Sequence, residues 1–278
     1  MVNKVAILYH PMVEATHAKA MELHDFLVAR GISAWLCSAW EKDQARAQLN
    51  GTDLILSIGG DGTILRAAHV ALHSTIPITG INLGRIGFMT ELSADEVTEK
   101  LPELLAGKGW IDQRSMIDVE LQAVGQTSTQ TLQALNDVVV ARGAISRMVH
   151  VGASLDGQVI GDYRADGVIV STATGSTGYA LAAGGPILYP RSTDCLVVPV
   201  AAHLSPAYPL VLPSTAVIRL RIATVHQAVL SVDGHINLPL SDGDTVTIKH
   251  SPHTTRFQRI HPETAFYSSL EQKLKGNR

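Results

Sequence analysis

The sequence predicts an α/β N-terminal domain, with a parallel sheet and helices on both faces, followed by a C-terminal all-β, sandwich-like domain. Strands and helices alternate over roughly the first hundred residues, which is typical of a parallel sheet covered by helices. The pattern changes after Trp110, and short strands separated by turn signals continue to His250. We therefore place a domain boundary near Asp112.

In the first domain, short apolar runs are typical of strands buried on both faces, and apolar residues at helical spacing separate them. The expected strands are 5–9, 33–37, 54–58 and 78–81, and the expected helices are 14–30, 41–49 and 64–72. Gly31 and Gly51 follow the first two helices, and glycine is common at that position because it accepts a left-handed backbone.

In the second domain, the expected strands are 116–121, 132–140, 150–155, 159–163, 168–171, 196–200, 217–222, 229–232 and 246–249. Asp156-Gly157 separates two of them, as a two-residue hairpin turn does, and Asp242-Gly243 is a second turn signal. The segment 177–183 and the tail 262–275 are expected to be helical.

Composition excludes several classes of protein. The chain has 278 residues, of which 46% are hydrophobic and 17% charged, with a net charge of −3 and no run of Lys or Arg. Nucleic-acid binding is therefore not expected. Cys37 and Cys195 are too far apart for a disulfide framework or a zinc site built from Cys pairs. Neither a signal peptide nor a membrane-length apolar run is visible, so we expect a cytoplasmic protein without membrane association.

The segment 59–63, Gly-Gly-Asp-Gly-Thr, follows an expected strand and precedes an expected helix; we term it the glycine loop. Glycines allow the backbone to approach a ligand closely, and amides at a helix N-terminus favour an anion. The loop lacks the Gly-Lys-Ser/Thr of a Walker A loop, and Leu65 stands where the dinucleotide fingerprint has its third glycine. The pattern thus indicates a phosphate site of another kind.

Asp61 is unusual in such a loop, because a carboxylate beside phosphates adds negative charge. Three interpretations remain open at this point: Asp61 holds a metal ion, accepts a proton from an attacking hydroxyl group, or caps its own helix. No metal ligand is firmly assigned from the sequence.

A second glycine-rich segment, Thr-Ala-Thr-Gly-Ser-Thr-Gly-Tyr at 172–179, follows the expected strand 168–171. Small hydroxyl side chains among glycines suit a polar ligand, although a loop closed by its own Ser and Thr bonds is an equal alternative. Asn136 and Asp137 offer an amide and a carboxylate that could bind a base or a ribose, or could form a bulge. His69 and His73 are four residues apart on an expected helix, and we interpret them as a solvent-facing pair.

Several segments together resemble one family, the NAD kinases, which phosphorylate the adenosine ribose 2′-hydroxyl of NAD to give NADP. In chain order they are 59–63 (GGDGT), 65–68 (LRAA), 80–88 (GINLGRIGF), 135–137 (LND), 166–177 (DGVIVSTATGST), 183–186 (AGGP) and 233–234 (DG). Diacylglycerol kinases and phosphofructokinases share the glycine loop, whereas the combination is specific to NAD kinases.

The resemblance implies that the tail, 255–278, joins residues 1–112 in an α/β phosphate-donor domain, and that 113–254 form a β-rich NAD-binding domain. It also implies ATP or polyphosphate as donor, Mg²⁺ or another divalent metal, a homodimer or homotetramer, and Asp61 acting on the attacking hydroxyl. The implied substrate- and nucleotide-binding residues are Gly59, Gly60, Gly62, Thr63, Arg66, Asn136, Asp137, Arg164, Asp166, Thr174, Gly175, Ser176, Thr177, Tyr179, Tyr208 and His235.

The chain departs from the family pattern at three positions. Ala173 replaces a proline, Gly178 replaces an alanine, and Tyr208 stands where arginine is usual. Loss of that cation near a polyanion weakens binding or alters donor choice, and tyrosine can stack or donate one hydrogen bond instead. Two alternatives to an NAD kinase are a related kinase for a lipid or sugar, and a non-catalytic dinucleotide-binding regulator.

Overall fold

The structure is a computed structural model that describes residues 2–84, 87–143, 148–202, 208–224 and 226–275. The chain divides into two compact units: unit 1 comprises Met1–Gln113 with Thr255–Arg278, and unit 2 comprises Arg114–Thr254. Among the helices in the described ranges, none is both long enough and apolar enough to cross a membrane.

Unit 1 begins with alternating strands and helices. They are β1 (Lys4–Tyr9), α1 (Glu14–Val28), β2 (Ser33–Ser38), α2 (Lys42–Ala47), β3 (Leu54–Ile58), α3 (Asp61–Val70), β4 (Ile78–Asn82), the short β5 (Leu92–Ser93) and α4 (Val97–Leu105). The long strand β6 (Trp110–Gln122) carries the chain out of unit 1.

Unit 2 is built almost entirely of strands. They are β7 (Thr129–Ala134), β8 (Asp137–Arg142), β9 (Val149–Leu155), β10 (Gln158–Ala165), β11 (Gly167–Thr172), β12 (Cys195–Val200), β13 (Leu210–Leu212), β14 (Ile218–Ile222), β15 (Ala228–Val232), β16 (Ile236–Leu240) and β17 (Thr245–Arg259). A 3₁₀ turn (Gly175–Thr177) and the short helix α5 (Tyr179–Ala182) follow β11. The chain re-enters unit 1 within β17 and ends with α6 (Ala265–Lys275).

The sheet of unit 1 is parallel, with strands in the order β17–β4–β3–β1–β2. One face forms a core with α1 and α4, because Leu23 and Leu101 join the odd-numbered side chains of β1 in one buried cluster. On the other face α3 lies so close that a Cβ atom at Gly80 would overlap Ile64. Helices thus cover both faces, and the predicted α/β class is confirmed.

Unit 2 contains two antiparallel sheets, with strand orders β10–β9–β14–β17 and β13–β12–β11–β8–β15–β16. One core of buried, mainly aliphatic residues draws on strands of both sheets, as in a sandwich. Asp156 and Gly157 both have positive φ (49° and 83°) and join β9 to β10, which confirms the predicted hairpin turn. The predicted sandwich-like class is confirmed.

One predicted strand was wrong, and helix α4 and strands β5, β13 and β16 were not predicted. The expected single strand 132–140 is two strands, β7 and β8, interrupted at Leu135 and Asn136, whose amides bond to a side chain far along the chain. Helix α4 was not predicted, since Pro102 lies inside it and removes one backbone donor. Its apolar face is nevertheless buried, so tertiary packing compensates for the proline.

Candidate active site

The glycine loop lies at the carboxyl edge of the unit 1 sheet. Gly59 donates its backbone N–H to Ile81 O at 2.9 Å, and His10 donates to Ile58 O at 3.2 Å, so the loop starts where β1, β3 and β4 end. Gly59 has φ of +150°, and a Cβ atom there would lie 2.9 Å from Thr63 Cβ. Any other residue at Gly59 would therefore strain the backbone and collide with the first turn of α3.

Asp61 is the first residue of α3, and its carboxylate does not cap this helix: Gly60 occupies the N-cap, and in the described part of the chain no side chain caps it. The carboxylate instead accepts the backbone N–H groups of Phe88 at 2.8 Å and Met89 at 3.0 Å. Two donors fix the plane of the carboxylate, so Asp61 is held at the mouth of the loop in one orientation.

Residues 87–90, which we term the clamp turn, supply those two donors. Gly87 donates its N–H to Thr90 Oγ1 at 3.0 Å, and the same hydroxyl lies 3.2 Å from Gly87 O, which closes the turn. A Cβ atom at Gly87 would lie 2.6 Å from Asp61 Cγ. The close approach of the clamp turn to Asp61 therefore depends on glycine.

Three buried polar atoms near the ends of β3 and β4 have no hydrogen-bond partner within the described residues: Ser57 Oγ, Thr63 Oγ1 and Asn82 Nδ2. Their residues are 0%, 1% and 8% exposed. Buried polar groups are normally paired, so a cluster of unpaired ones indicates that a ligand or water supplies the missing partners.

Arg66, one turn further along α3, lies with its guanidinium carbon 4.2 Å from the ring centroid of Trp40. Trp40 in turn packs against the ring of His10 at 4.4 Å. Desolvation by burial lowers the pKa of Arg66 from its usual value. The stacking holds this cation on the same helix as the glycine loop.

In unit 2, Asp233 organises the break between β7 and β8. Its carboxylate accepts the backbone N–H groups of Leu135 at 2.9 Å, Asn136 at 2.7 Å and Asp137 at 3.1 Å. Asp233 and Gly234 both have positive φ (49° and 68°) in the turn after β15. Asp233 was not among the predicted site residues, although the Asp-Gly pair at 233–234 belongs to the family pattern.

Asn136 and Asp137 are therefore each placed by a long-range bond to the carboxylate of Asp233. Asn136 Oδ1 is buried and has no partner among the described residues. Burial, and secondarily the nearby charge of Asp233, raise the pKa of Asp137 to about 7. An amide oxygen without a partner and a carboxyl group that titrates near neutrality are features of a ligand site.

The segment 172–177 closes on itself beside Asn136. Thr172 Oγ1 donates to Leu135 O, and Gly175 donates its N–H to Thr172 Oγ1 at 3.2 Å. Ser176 is fully buried; its hydroxyl donates to Ala173 O at 2.7 Å and accepts the N–H of Leu188 at 3.0 Å. Its proton is therefore engaged by the carbonyl of Ala173.

Thr174 and Thr177 belong to the same segment. Thr174 Oγ1 accepts a bond from the buried Arg114 at 3.3 Å, and Thr177 Oγ1 donates to Thr174 O at 3.1 Å. Arg114 carries no local sequence signal and was not predicted. The structure thus brings together 172–177 with Asn136.

The other expected site residues of unit 2 lie apart from this group or at its surface. Asp166 forms an ion pair with Arg142 at 3.2 Å, and Arg164 is exposed on β10. His235 Nδ1 lies 3.0 Å from Asp233 O. Tyr179 and Tyr208 are 47% and 73% exposed. Residues 85–86, which belong to the family segment 80–88, and residues 203–207 lie outside the described residues.

The structure corrects the interpretation of His69 and His73. His69 and His73 do not form a solvent-facing pair, because α3 ends at Val70 and His69 is buried (2% exposed) while His73 lies beyond the helix. Across the described ranges, no group of three or more His, Cys, Asp or Glu side chains could hold a metal ion.

Comparison with known proteins identifies the family. A family model of the ATP-NAD kinase N-terminal domain matches residues 5–109, and one of the ATP-NAD kinase C-terminal domain matches residues 135–260. The chain belongs to the NAD kinase family. NAD kinases of Dehalococcoides mccartyi and Chloroflexus aurantiacus are 46% and 41% identical to it, over 277 and 275 residues. These alignments cover 100% and 99% of the chain, and 98% and 99% of the relatives.

Solved structures of NAD kinases share the fold. The yeast NADH kinase complexed with NADH has a TM-score of 0.86 at 24% identity, covering 99% of this chain and 88% of that one. The Archaeoglobus fulgidus NAD kinase in complex with ATP has a TM-score of 0.77 at 25% identity, covering 98% of both chains. As a member of the family, the chain is a phosphotransferase that phosphorylates NAD on an alcohol group.

Proposed function

We propose that unit 1 binds ATP at the glycine loop and that Asp61 accepts the proton of the adenosine ribose 2′-hydroxyl as it attacks the terminal phosphate. The observation that carries this proposal is the carboxylate of Asp61, fixed by the amides of Phe88 and Met89 at the start of α3. A fixed carboxylate suits a general base, because phosphoryl transfer depends mainly on positioning.

The donor phosphates would meet the backbone of Gly59, Gly60 and Gly62, with Thr63 and Arg66 on the following helix. The unpaired hydroxyl of Thr63 supports this assignment, since a phosphate oxygen would supply its missing partner. The Archaeoglobus relative was solved with ATP, which supports ATP rather than polyphosphate as the donor.

A divalent metal ion, Mg²⁺ or a similar cation, fits this site only as an ion shared with the donor. The loop offers a single carboxylate, Asp61, and no group of three potential ligands occurs in the described residues. Mg²⁺ is commonly bound by one or two carboxylates together with substrate phosphates. Such an ion would supply positive charge that offsets the charge of the donor phosphates.

Unit 2 would bind NAD. Asn136 and Asp137 would bind its adenosine part, and the segment containing Thr174, Gly175, Ser176 and Thr177 would form a wall of that site. The unpaired Asn136 Oδ1 and the raised pKa of Asp137 support this proposal.

We assign the more exposed expected residues to the edge of the NAD site. They are Arg164, Asp166, Tyr179, Tyr208 and His235. We further propose that the protein is cytoplasmic and forms a homodimer or homotetramer, as family membership supports. Light scattering of the purified protein would test the oligomeric state.

Asp61→Asn tests the base. We expect kcat for NAD phosphorylation to fall by about 10²–10⁴-fold, with the fold intact. Asp53→Asn is a matched control, because Asp53 Oδ2 also accepts two backbone N–H groups, of Asn3 and Lys4 at 2.7 and 3.0 Å, in the same unit. Turnover by Asp61→Asn equal to that of Asp53→Asn would exclude Asp61 as the base.

A comparison of phosphoryl donors and acceptors tests the proposed substrates, ATP and NAD. ATP with NAD should give NADP, whereas polyphosphate as donor, or a lipid or sugar as acceptor, should give little product. NADP formation with polyphosphate but not with ATP would contradict the proposed donor.

A further inference from the structure

The clamp turn is itself held by a buried arginine from the C-terminal stretch of unit 1. Arg259, the last residue of β17, donates from Nη1 to Met89 O at 2.8 Å, and Nη1 lies 3.5 Å from Thr90 O. Arg259 is 5% exposed. The clamp turn thus has two sets of contacts: its carbonyl groups accept from a buried guanidinium, and its amide groups donate to Asp61.

Two buried carboxylates fix this guanidinium. Arg259 Nε lies 3.2 Å from Asp112 Oδ2, and Nη1 lies 3.3 Å from Glu91 Oε2. Glu91 Oε1 also accepts the backbone N–H groups of Ile260 and His261, both at 2.7 Å. A buried ion network of this kind adds little net stability but has one well-defined geometry, because each charge loses its compensation if it moves.

From these contacts we infer that Arg259 is a positioning residue for Asp61. The connection has two steps: Arg259 holds the carbonyl of Met89, and the N–H of Met89 holds Asp61 Oδ1. Without Arg259 the carbonyl of Met89 loses this buried donor, so the Met89 amide, and with it the Asp61 carboxylate, is held less firmly. This inference rests on the proposed role of Asp61 as the base.

A purely structural role for Arg259 makes a different prediction. In that case its loss lowers the fraction of folded protein, while kcat per folded molecule stays constant and the effect adds to that of any other variant. A positioning role acts only through the Asp61 carboxylate, so its effect disappears once that carboxylate is gone.

A double-mutant cycle between Arg259→Met and Asp61→Asn separates these cases. We expect Arg259→Met to lower kcat by roughly 10- to 100-fold, with a smaller change in KM for NAD, because a small misplacement of a reacting group has effects of that size. In the Asp61→Asn background, measured by single-turnover kinetics at high enzyme concentration, the same substitution should change the rate less than about twofold. Equal losses in both backgrounds, or unchanged kcat in the single variant, would overturn the inference.

Arg256→Met is the matched control, since Arg256 lies on the same strand but donates to Thr75 O, away from the clamp turn. It should keep kcat. If Arg259→Met does not fold, Thr90→Val tests the same turn from its other side, because it removes the hydroxyl that bonds Gly87. Thr90→Val should lower kcat in the wild-type background and not in the Asp61→Asn background.

The outcomes also separate the two proposals. Full turnover by Asp61→Asn would remove the base assignment itself. If Asp61→Asn is strongly impaired but the effects of the two substitutions are additive, Asp61 remains the base and only the role of Arg259 is excluded.

Discussion

The carboxylate of Asp233 accepts the backbone N–H group of Asp137 at 3.1 Å, so two acidic residues meet inside unit 2. Burial and the charge of Asp233 raise the pKa of Asp137 to about 7, whereas an unfolded aspartate titrates near 3.9. The folded state therefore retains a proton on Asp137 at pH values where the unfolded state has released it.

This difference predicts a pH dependence of stability. The protonated carboxyl group of Asp137 contributes to the free energy of unfolding. This contribution is fully present below about pH 4 and is lost as pH rises through about 7, at a rate of at most about 1.4 kcal/mol per pH unit. Asp137→Asn should remove this slope. The melting temperature of the variant should therefore rise relative to that of the wild type as the pH increases from 5 to 8. Parallel melting profiles for the two proteins, measured without NAD, would contradict the prediction.

A second prediction concerns the close approach of Gly87 to Asp61. The methyl group of Gly87→Ala would lie 2.6 Å from Asp61 Cγ, and it would displace the far end of the Asp61 side chain rather than backbone. We expect stability to change little and kcat to fall by up to about 10²-fold, because the carboxylate is displaced. Gly84→Ala is the control, since its added Cβ meets no atom within 4 Å. Equal kcat for the two variants would show that the orientation of Asp61 is unimportant.

A third prediction concerns stability in unit 2. A Cβ atom at Gly175 would lie 2.6 Å from both Asn136 C and Ser171 Oγ, and the backbone cannot move aside easily. Gly175→Ala should therefore lower the free energy of unfolding by about 1–3 kcal/mol. Gly178→Ala restores the residue usual in the family and meets Gly175 O only at 3.3 Å, so its cost should stay below about 1 kcal/mol. Chemical denaturation of both variants measures the difference.

Local patterns predicted most of the fold. Apolar runs at strand length and apolar residues at helical spacing identified β1 to β4 and α1 to α3, because burial on two faces leaves a continuous signal. The break between β7 and β8 could not be predicted, since the donors of Leu135 and Asn136 go to Asp233, almost a hundred residues later. Short-range patterns carry no information on such a bond.

The candidate site likewise has features that local patterns predict and features that depend on long-range contacts. The glycine loop and Asp61 stand out because their residue types are unusual after a strand. The partners of Asp61 cannot be identified in the sequence, because Phe88 and Met89 act through their backbone amides, for which side-chain identity gives no signal. Arg259 is an ordinary arginine in sequence, and only the tertiary structure shows its bond to Met89.

The return of the chain to unit 1 within β17 has a consequence for biosynthesis. Asp61 leaves the ribosome early, whereas Arg259 follows only after the whole of unit 2 has been translated, on the order of ten seconds or more later. On the role inferred for Arg259, a nascent chain carries the reactive carboxylate without the contact that orients it. Full activity is then reached only once residue 259 has been translated, and shorter fragments lack the contact that orients Asp61.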